Sequence, residues 1–405
     1  MKKNILLQAP VFSISGYGAH ARDIALALLS DERFNVSIKL TGWGGSSSGE
    51  FLSKETMRRL TFGINNKLRD ESDSIFIHVG IPTEFQPAGK YNVGITAGLE
   101  VTRITSAWVE GCNKMDLVVV PTKFISDIFI NCGVTSSMLV VPEGVDTQIF
   151  SSDPVIPLYP ILNSNNITTE FNFLSIGQWL NYPFGKDRKQ IALLIDTFMK
   201  AFEGDNTVGL ILKTYTNNIS TPDEYFTKKK IEEVVRGRKG PQIYLLHGEL
   251  TEVELGQLYH TNVHAYVSMT SGEGWNRPTA EAACSGMPIV ITGWSGHMDY
   301  LQKESSSIIA YALGEIPAEV IQSTNFFEQG MQWAYPNIED AIAKMRDMRD
   351  NYATWKAAAM DFSKVMMTRY EKEKIYKEFS DVLATAKFET FYAEKEDSII
   401  LNNEV

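Results

Sequence analysis

Short apolar runs alternate along this chain with longer stretches whose apolar residues recur every three to four positions, and the rhythm plays twice. "NILLQA" (4–9) reads as a buried strand, and "GAHARDIALALLS" (18–30) as a helix with Ala21, Ile24, Ala25 and Leu28 on one face. "NVSIKL", "SIFIHVG", "YNVGIT", "DLVVVP" and "MLVVPEG" read as further strands. Helical stretches at 53–68, 105–115 and 122–133 separate several of them. Residues 151–170 gather Pro, Ser and Asn, lose all periodicity and read as a linker. The pattern then restarts, with strands "FNFLSIG", "VGLILKT", "IYLLHG", "VHAYVSM" and "PIVIT" and helices at 189–202, 253–261 and 278–286. After about 335 the chain reads as largely helical, and the tail "YAEKEDSIILNNEV" shows no pattern. Such alternation predicts crossover units and a parallel sheet in each half. The expected domains are 1–160 and 161–375, with 376–405 as a helix and tail packing back on the first. Two α/β domains on one linker leave a cleft between the carboxyl ends of two sheets, where open parallel sheets bind ligands.

Composition narrows the class. At 405 residues the chain exceeds one ordinary core and suits two domains. A net charge of −11 argues against a broad nucleic-acid surface, although local basic patches remain. Cys112, Cys132 and Cys284 lack metal-ligand spacing and suit a reducing compartment. "MKKNILLQAPVF" is too short in its apolar run for a signal peptide, and no window is apolar enough for a transmembrane helix. A soluble cytoplasmic protein is expected, with membrane association left open.

One segment carries the chemistry. In "SGEGWNRPTAEAACSGMP" (271–288), Glu273 and Glu281 stand eight apart. Pro278 suits the first position of a short helix, Gly286 its left-handed end, and Pro288 blocks continuation. A helix start preceded by glycine offers amides and a positive dipole end to an anion. Carboxylates beside a bare phosphate would repel it, but they fit a phosphate flanked by hydroxyls. A nucleotide-sugar has that layout. Glu273 would accept from the sugar, the amides of Gly274, Trp275 and Asn276 would hold the diphosphate, and Glu281 would accept from the ribose. The plain alternative is a solvated loop acid and a helix-stabilising one, and the spacing alone does not decide.

The wider segment does bear on it. "SMTSGEGWNRPTAEAACSGMPIVITGWSGHMDYL" resembles the signature of glycosyltransferase family 4, whose members share the GT-B fold. "DLVVVPTKFISDIF", "MLVVPEGVDTQIF", "LSIGQW" with "DRKQIALLIDTF", and "MQWAYPNIEDAIAKM" match other parts of the family in order, the last to a late helix. The likeness spans about residues 90–380. It implies two Rossmann-like α/β domains facing each other across a cleft and a retaining, metal-independent transfer. It also places Lys189 on the diphosphate with Arg188 beside it. Where many members carry Arg after the strand glycine, Gln178 stands here, so the second cation is missing or is Arg188. Lys213, ending a strand, is a further donor-side candidate.

On the N-terminal side, Gly16, Gly18 and Ala21 form a GxGxxA pattern that read alone suggests NAD binding. The glycines come well after the strand, and no acid closes the second strand for a ribose. The family's use, a glycine loop approaching the diphosphate, fits better. Where many members place His, "ITAGLEVTR" offers Glu100, to position the acceptor hydroxyl or stabilise charge on the sugar. His78 reads better as a core histidine.

The resemblance implies transfer of a sugar from a nucleoside-diphosphate sugar, a co-substrate and not a cofactor, to an acceptor hydroxyl. A cell-envelope glycan or lipid-linked saccharide is the expected acceptor, and Glu273, Lys189 and Glu100 are the catalytic candidates. Transfer to a modified DNA base, a GT-B epimerase and a non-catalytic nucleotide-sugar binder are the alternatives. The basic stretch "KETMRRLTFGINNKLR" could meet an anionic membrane or nucleic acid, but reads first as a solvated helix face.

Overall fold

The computed structural model describes residues 2–43, 51–153, 167–385 and 399–400. The expected linker therefore lies largely outside the described residues, as does the tail apart from 399–400. The chain forms two compact units, one of residues 1–144 with 370–405 and the other of 145–369.

In the first unit, strands β1 (Lys3–Ala9), β2 (Phe34–Leu40), β3 (Ile75–Val79), β4 (Tyr91–Ile95), β5 (Leu117–Val120) and β6 (Ser137–Val140) alternate with helices α1 (Gly16–Ser30), α2 (Lys54–Asn65), α3 (Ser106–Cys112) and α4 (Lys123–Asn131). β3, β4 and β5 are buried at every position, which is why they read as continuous apolar runs.

The second unit holds β7 (Phe171–Ile176), β8 (Val208–Lys213), β9 (Gln242–Leu246), β10 (Ala265–Ser268), β11 (Ile289–Thr292), β12 (Ser306–Ile309), β13 (Tyr311–Glu315) and β14 (Gln332–Pro336). Its helices are α5 (Ile191–Ala201), α6 (Thr221–Val235), α7 (Glu252–Leu258), α8 (Arg277–Cys284), α9 (Ala318–Ser323), α10 (Ile338–Asp350) and α11 (Tyr352–Arg369). The chain then returns to the first unit as α12 (Lys372–Thr385), and Ile399–Ile400 pairs parallel with β6.

The first sheet runs β6-β5-β4-β3-β1-β2 with the two-residue strand outside β6, all parallel. Its core sets Ile5, Leu7 and Ala9 against Ala21, Ile24, Ala25 and Leu28 of α1 and Ile375, Phe379 and Leu383 of α12. Each such side chain contributes about 1.5–3 kcal/mol through burial. A bond of 2.9 Å between His20 Nδ1 and Tyr376 Oη fixes α12 to α1.

The second sheet runs β12-β11-β10-β7-β8-β9, also parallel. Successive strands step one way from β7 to β9 and resume on its other side at β10. The order reverses between β7 and β10, so the crevice beyond their carboxyl ends is the expected ligand position. In the core of this unit Phe173, Leu210 and Leu212 pack with Ile195 and Phe198 of α5 and Met345 of α10.

The basic run "KKKIEEVVRGRKG" (228–240), which by itself reads as a solvated helix face, begins inside α6, a helix between β8 and β9 that the alternation of apolar runs does not show. Two local readings change. "MQWAYPNIEDAIAKM" is not one helix, because Gln332–Pro336 is a strand paired with β13 and the helix begins at Ile338. α8 starts one residue early, with Pro278 second in the helix, and Gly286 has the expected left-handed φ of 64°.

Candidate active site

The loop after β10 and the approach to α5 meet at the strand reversal. Glu273 is buried, 6% exposed, and takes two cations: Lys189 Nζ lies 2.7 Å from its Oε1 and Arg188 Nη1 lies 3.2 Å from its Oε2. Thr270 Oγ1 donates to Oε1 at 2.9 Å. Burial alone would raise this carboxyl's pKa, but Lys189 and Arg188 overcome it and hold the group at about 2. It is a carboxylate at any physiological pH.

The backbone of Glu273 is equally constrained. Its amide donates to Ser295 Oγ at 2.8 Å, and its carbonyl accepts from Gly296 N at 3.0 Å. His297 Nε2 donates to the Thr292 carbonyl at 2.7 Å, which leaves Nδ1 without a proton to accept from Ser295 Oγ at 3.4 Å. Burial lowers the His297 pKa, in keeping with a neutral ring. A Cβ on Gly296 would stand 1.9 Å from the Gly274 carbonyl oxygen, so only glycine lets the two turns touch.

Asn276 caps α8 at φ 70°, and its buried Nδ2 has no hydrogen-bond partner among the described residues. Trp275 is buried beside Tyr300, whose hydroxyl donates to the carbonyls of Trp275 and Asn276 at 3.1 Å. Glu281, the fifth residue of α8, accepts from Tyr259 Oη at 3.0 Å and lies 4.0 Å from Arg277 Nε. Lys213 ends β8, where its ammonium donates to the Gly248 carbonyl and burial lowers its pKa to about 8. Gln178 is tied to the Thr216 carbonyl at 3.1 Å.

The second unit thus brings Arg188 and Lys189 onto Glu273, with Gly274, Trp275 and Asn276 leading into the helix that carries Glu281. Gly16, Gly18 and Glu100 lie in the first unit. Gly16 and Gly18 form the first turn of α1, capped by Ser15 Oγ on Gly18 N at 3.1 Å, and are not an open loop. Tyr17 Oη bonds Thr96 Oγ1 at 2.9 Å and accepts from Ala97 N at 3.0 Å, and Glu100 follows in the same loop. His78 is buried against Phe85, and burial lowers its pKa to about 4, as for a core imidazole.

Sequence reasoning missed Thr270, Ser295 and Tyr259, which support the two glutamates. Hydroxyls in "SMTSGE" and "GWSG" were visible, but their partners are distant in the chain. Among the described residues, no helix is long and apolar enough to cross a membrane.

Two units with doubly wound parallel sheets, and charged groups gathered at a strand reversal, define a two-domain GT-B architecture of Rossmann-like units. Solved structures agree. HepE from Anabaena, in complex with UDP and glucose, has 12% identity and a TM-score of 0.62 over 95% of this chain and 100% of its own. Sucrose-phosphate synthase from Thermosynechococcus elongatus has 11% identity and a TM-score of 0.62 over 94% and 98%. A trehalose-6-phosphate protein from E. coli, bound with UDP-2-fluoro glucose, has 10% identity and a TM-score of 0.61 over 95% and 99%. At these identities the likeness establishes the GT-B fold. No protein-family model and no curated protein sequence matches the chain.

Proposed function

We propose that this chain is a glycosyltransferase of the family 4 kind, moving a sugar from a nucleoside-diphosphate sugar to an acceptor hydroxyl with retention at the anomeric carbon. The observation that supports it most is the buried Glu273 carboxylate held by Lys189 and Arg188 at the strand reversal. The two cations hold the diphosphate and stabilise charge that grows on it as the glycosidic bond breaks. Glu273 accepts from sugar hydroxyls, amides at the start of α8 meet the pyrophosphate, and Glu281 accepts from the ribose. The anomeric carbon leaves the phosphate oxygen as the acceptor oxygen bonds to it. The acceptor proton passes to that phosphate on the same face. Lys189 and Arg188 thus supply the positive charge that a metal ion brings in other transferases.

Gly16, Gly18 and Glu100 belong to this reading as groups of the other unit, Glu100 positioning the acceptor hydroxyl. The proposed acceptor is a cell-envelope glycan or lipid-linked saccharide, met in the cytoplasm with or without membrane contact through α2. Uridine donors come first in the test, because HepE and the E. coli neighbour are in complex with UDP or a UDP-sugar.

UDP-, GDP-, ADP- and dTDP-sugars are screened by thermal shift, and the binders are then incubated with saccharide, lipid-linked and hydroxymethylated-DNA acceptors. Nucleoside diphosphate release with a matching mass gain on an acceptor is the expected result. A new sugar isomer without any acceptor would make the protein an epimerase. Binding without release would make it a binding protein, and no binding at all would remove the donor site.

A further inference from the structure

Gln190 adopts a left-handed backbone conformation, φ 54° and ψ 31°, as the residue that opens α5. Glycine reaches that region without steric cost, whereas a side chain sets Cβ against the neighbouring carbonyl. The residue is 1% exposed, so the conformation serves no surface turn. Its amide shows what holds it. Nε2 donates to the Gly185 carbonyl at 3.3 Å and to Ser271 Oγ at 3.0 Å.

Ser271 is fully buried and joins three segments. Its amide donates to the Arg188 carbonyl at 2.8 Å, and its carbonyl accepts from Ala334 N, on β14, at 3.0 Å. The loop before α5 and the loop after β10 are therefore tied directly beside the point where Arg188 and Lys189 cross to Glu273. Farther out, Tyr182 Oη bonds Ser323 Oγ at 2.7 Å and Lys186 Nζ pairs with Glu319 Oε1 at 2.5 Å, bracing the first loop on α9.

We propose that Gln190 and Ser271 form a positioning pair that aims Arg188 and Lys189 at the donor diphosphate, an inference that rests on the donor-site reading above. A glycine at 190 would suit the backbone better and remove the side-chain tie to Ser271 and Gly185, leaving the bonds made through Arg188. The strained residue is retained for its amide, and stability is given up for aim. Neither residue touches the donor in this scheme; both act through the two cations.

Gln190→Gly, Ser271→Ala and the double variant are compared with the wild type in three measurements. These are melting temperature, affinity for UDP, GDP and ADP by calorimetry, and donor and acceptor kinetics with the sugar of whichever diphosphate binds. Gln190→Gly is expected to melt at or above the wild-type temperature while kcat/KM for the donor falls about tenfold to a hundredfold, with acceptor KM unchanged. Ser271→Ala should show the same kinetic loss, and the double variant should lose no more than either alone, since the two act as one unit. A lowered melting temperature with unchanged kinetics per folded molecule would make the bond purely structural and overturn the proposal. Additive losses would overturn it as well. If Gln190→Gly does not fold, Ser271→Ala carries the test by removing one hydroxyl. A wild type that binds none of the three diphosphates and releases none from their sugars defeats the donor-site reading; an active wild type matched by Gln190→Gly defeats only the positioning pair.

Discussion

Lys189 Nζ lies 2.7 Å from Glu273 Oε1, although 84 residues of chain separate the two. The pair joins the group expected to hold phosphate to the group expected to read sugar hydroxyls. Lysine on the carboxylate prevents burial from protonating it. The carboxylate in turn holds the Lys189 side chain beside the loop that follows β10.

Glu273→Gln keeps the shape and removes the charge. Donor turnover is expected to fall by about two to four orders of magnitude, since an electrostatic contact in a dry site is lost along with a sugar acceptor. Lys189 and Arg188 keep partial exposure and the Gln carbonyl still accepts a hydrogen bond, so the stability loss should stay near about 1–3 kcal/mol. Steady-state kinetics beside urea unfolding checks both numbers. A variant with wild-type turnover would remove Glu273 from the mechanism.

The low pKa of Glu273 gives stability a pH dependence with a definite sign. The native carboxyl titrates near 2 and an unfolded glutamate near about 4.3, so its contribution is complete above the unfolded value and fades as pH falls toward 2. In Lys189→Met the nearest cation is gone and burial pushes the carboxyl up. The variant should be less stable than the wild type at pH 7, and the gap should narrow as pH falls from the variant's raised carboxyl pKa toward 2. Urea titrations at pH 7, 4 and 3 measure it; a gap constant with pH would mean that the pair does not control this carboxyl.

Lys213 places a second titration within reach of assay conditions. Burial brings its pKa down to about 8, so the ammonium is charged below that pH and neutral above it. If it contacts the diphosphate, nucleotide affinity falls as pH rises through 8. Lys213→Arg, whose guanidinium stays charged, should bind with a flat profile over pH 7–9. Calorimetry with UDP at three pH values tests this, and matching profiles for variant and wild type would take Lys213 out of the donor site.

Gly296→Ala tests how closely the two turns touch. Its methyl would enter the Gly274 carbonyl, 1.9 Å from the added Cβ, and the Glu273 loop must move. Overpacking of this kind costs about 1–3 kcal/mol, and a shift near 1 Å in a catalytic group costs about a hundredfold in rate. A melting curve and donor kinetics report both; unchanged turnover would show that the loop tolerates displacement.

Much of this site could be read from the chain, for reasons specific to each residue. Glu273, Asn276, Pro278, Glu281 and Gly286 lie within fourteen residues, where turn chemistry and helix capping are local. Arg188 and Lys189 were proposed from resemblance, and no periodicity places them near Glu273. The hydroxyls of Thr270, Ser295 and Tyr259 escaped notice because serine, threonine and tyrosine are common, and only a distant partner marks one of them as significant. β13 and β14 escaped for another reason: β13 is almost wholly exposed, β14 buries Trp333, Ala334 and Pro336 without strict alternation, and the residues between the two strands include α9.

Alternating apolar runs were enough to establish two parallel-sheet units, because burying both faces of a strand demands that pattern wherever it occurs. Local signals also located the turn before α8. Which strand lies beside which, and so where the order reverses, depends on contacts between residues far apart in the chain. That pairing sets Lys189 and Arg188 on Glu273, folds Gln190 against Ser271 and returns α12 to the first unit. Charge and hydrogen bonds act through space, and their partners exist only once the sheet has closed the distance.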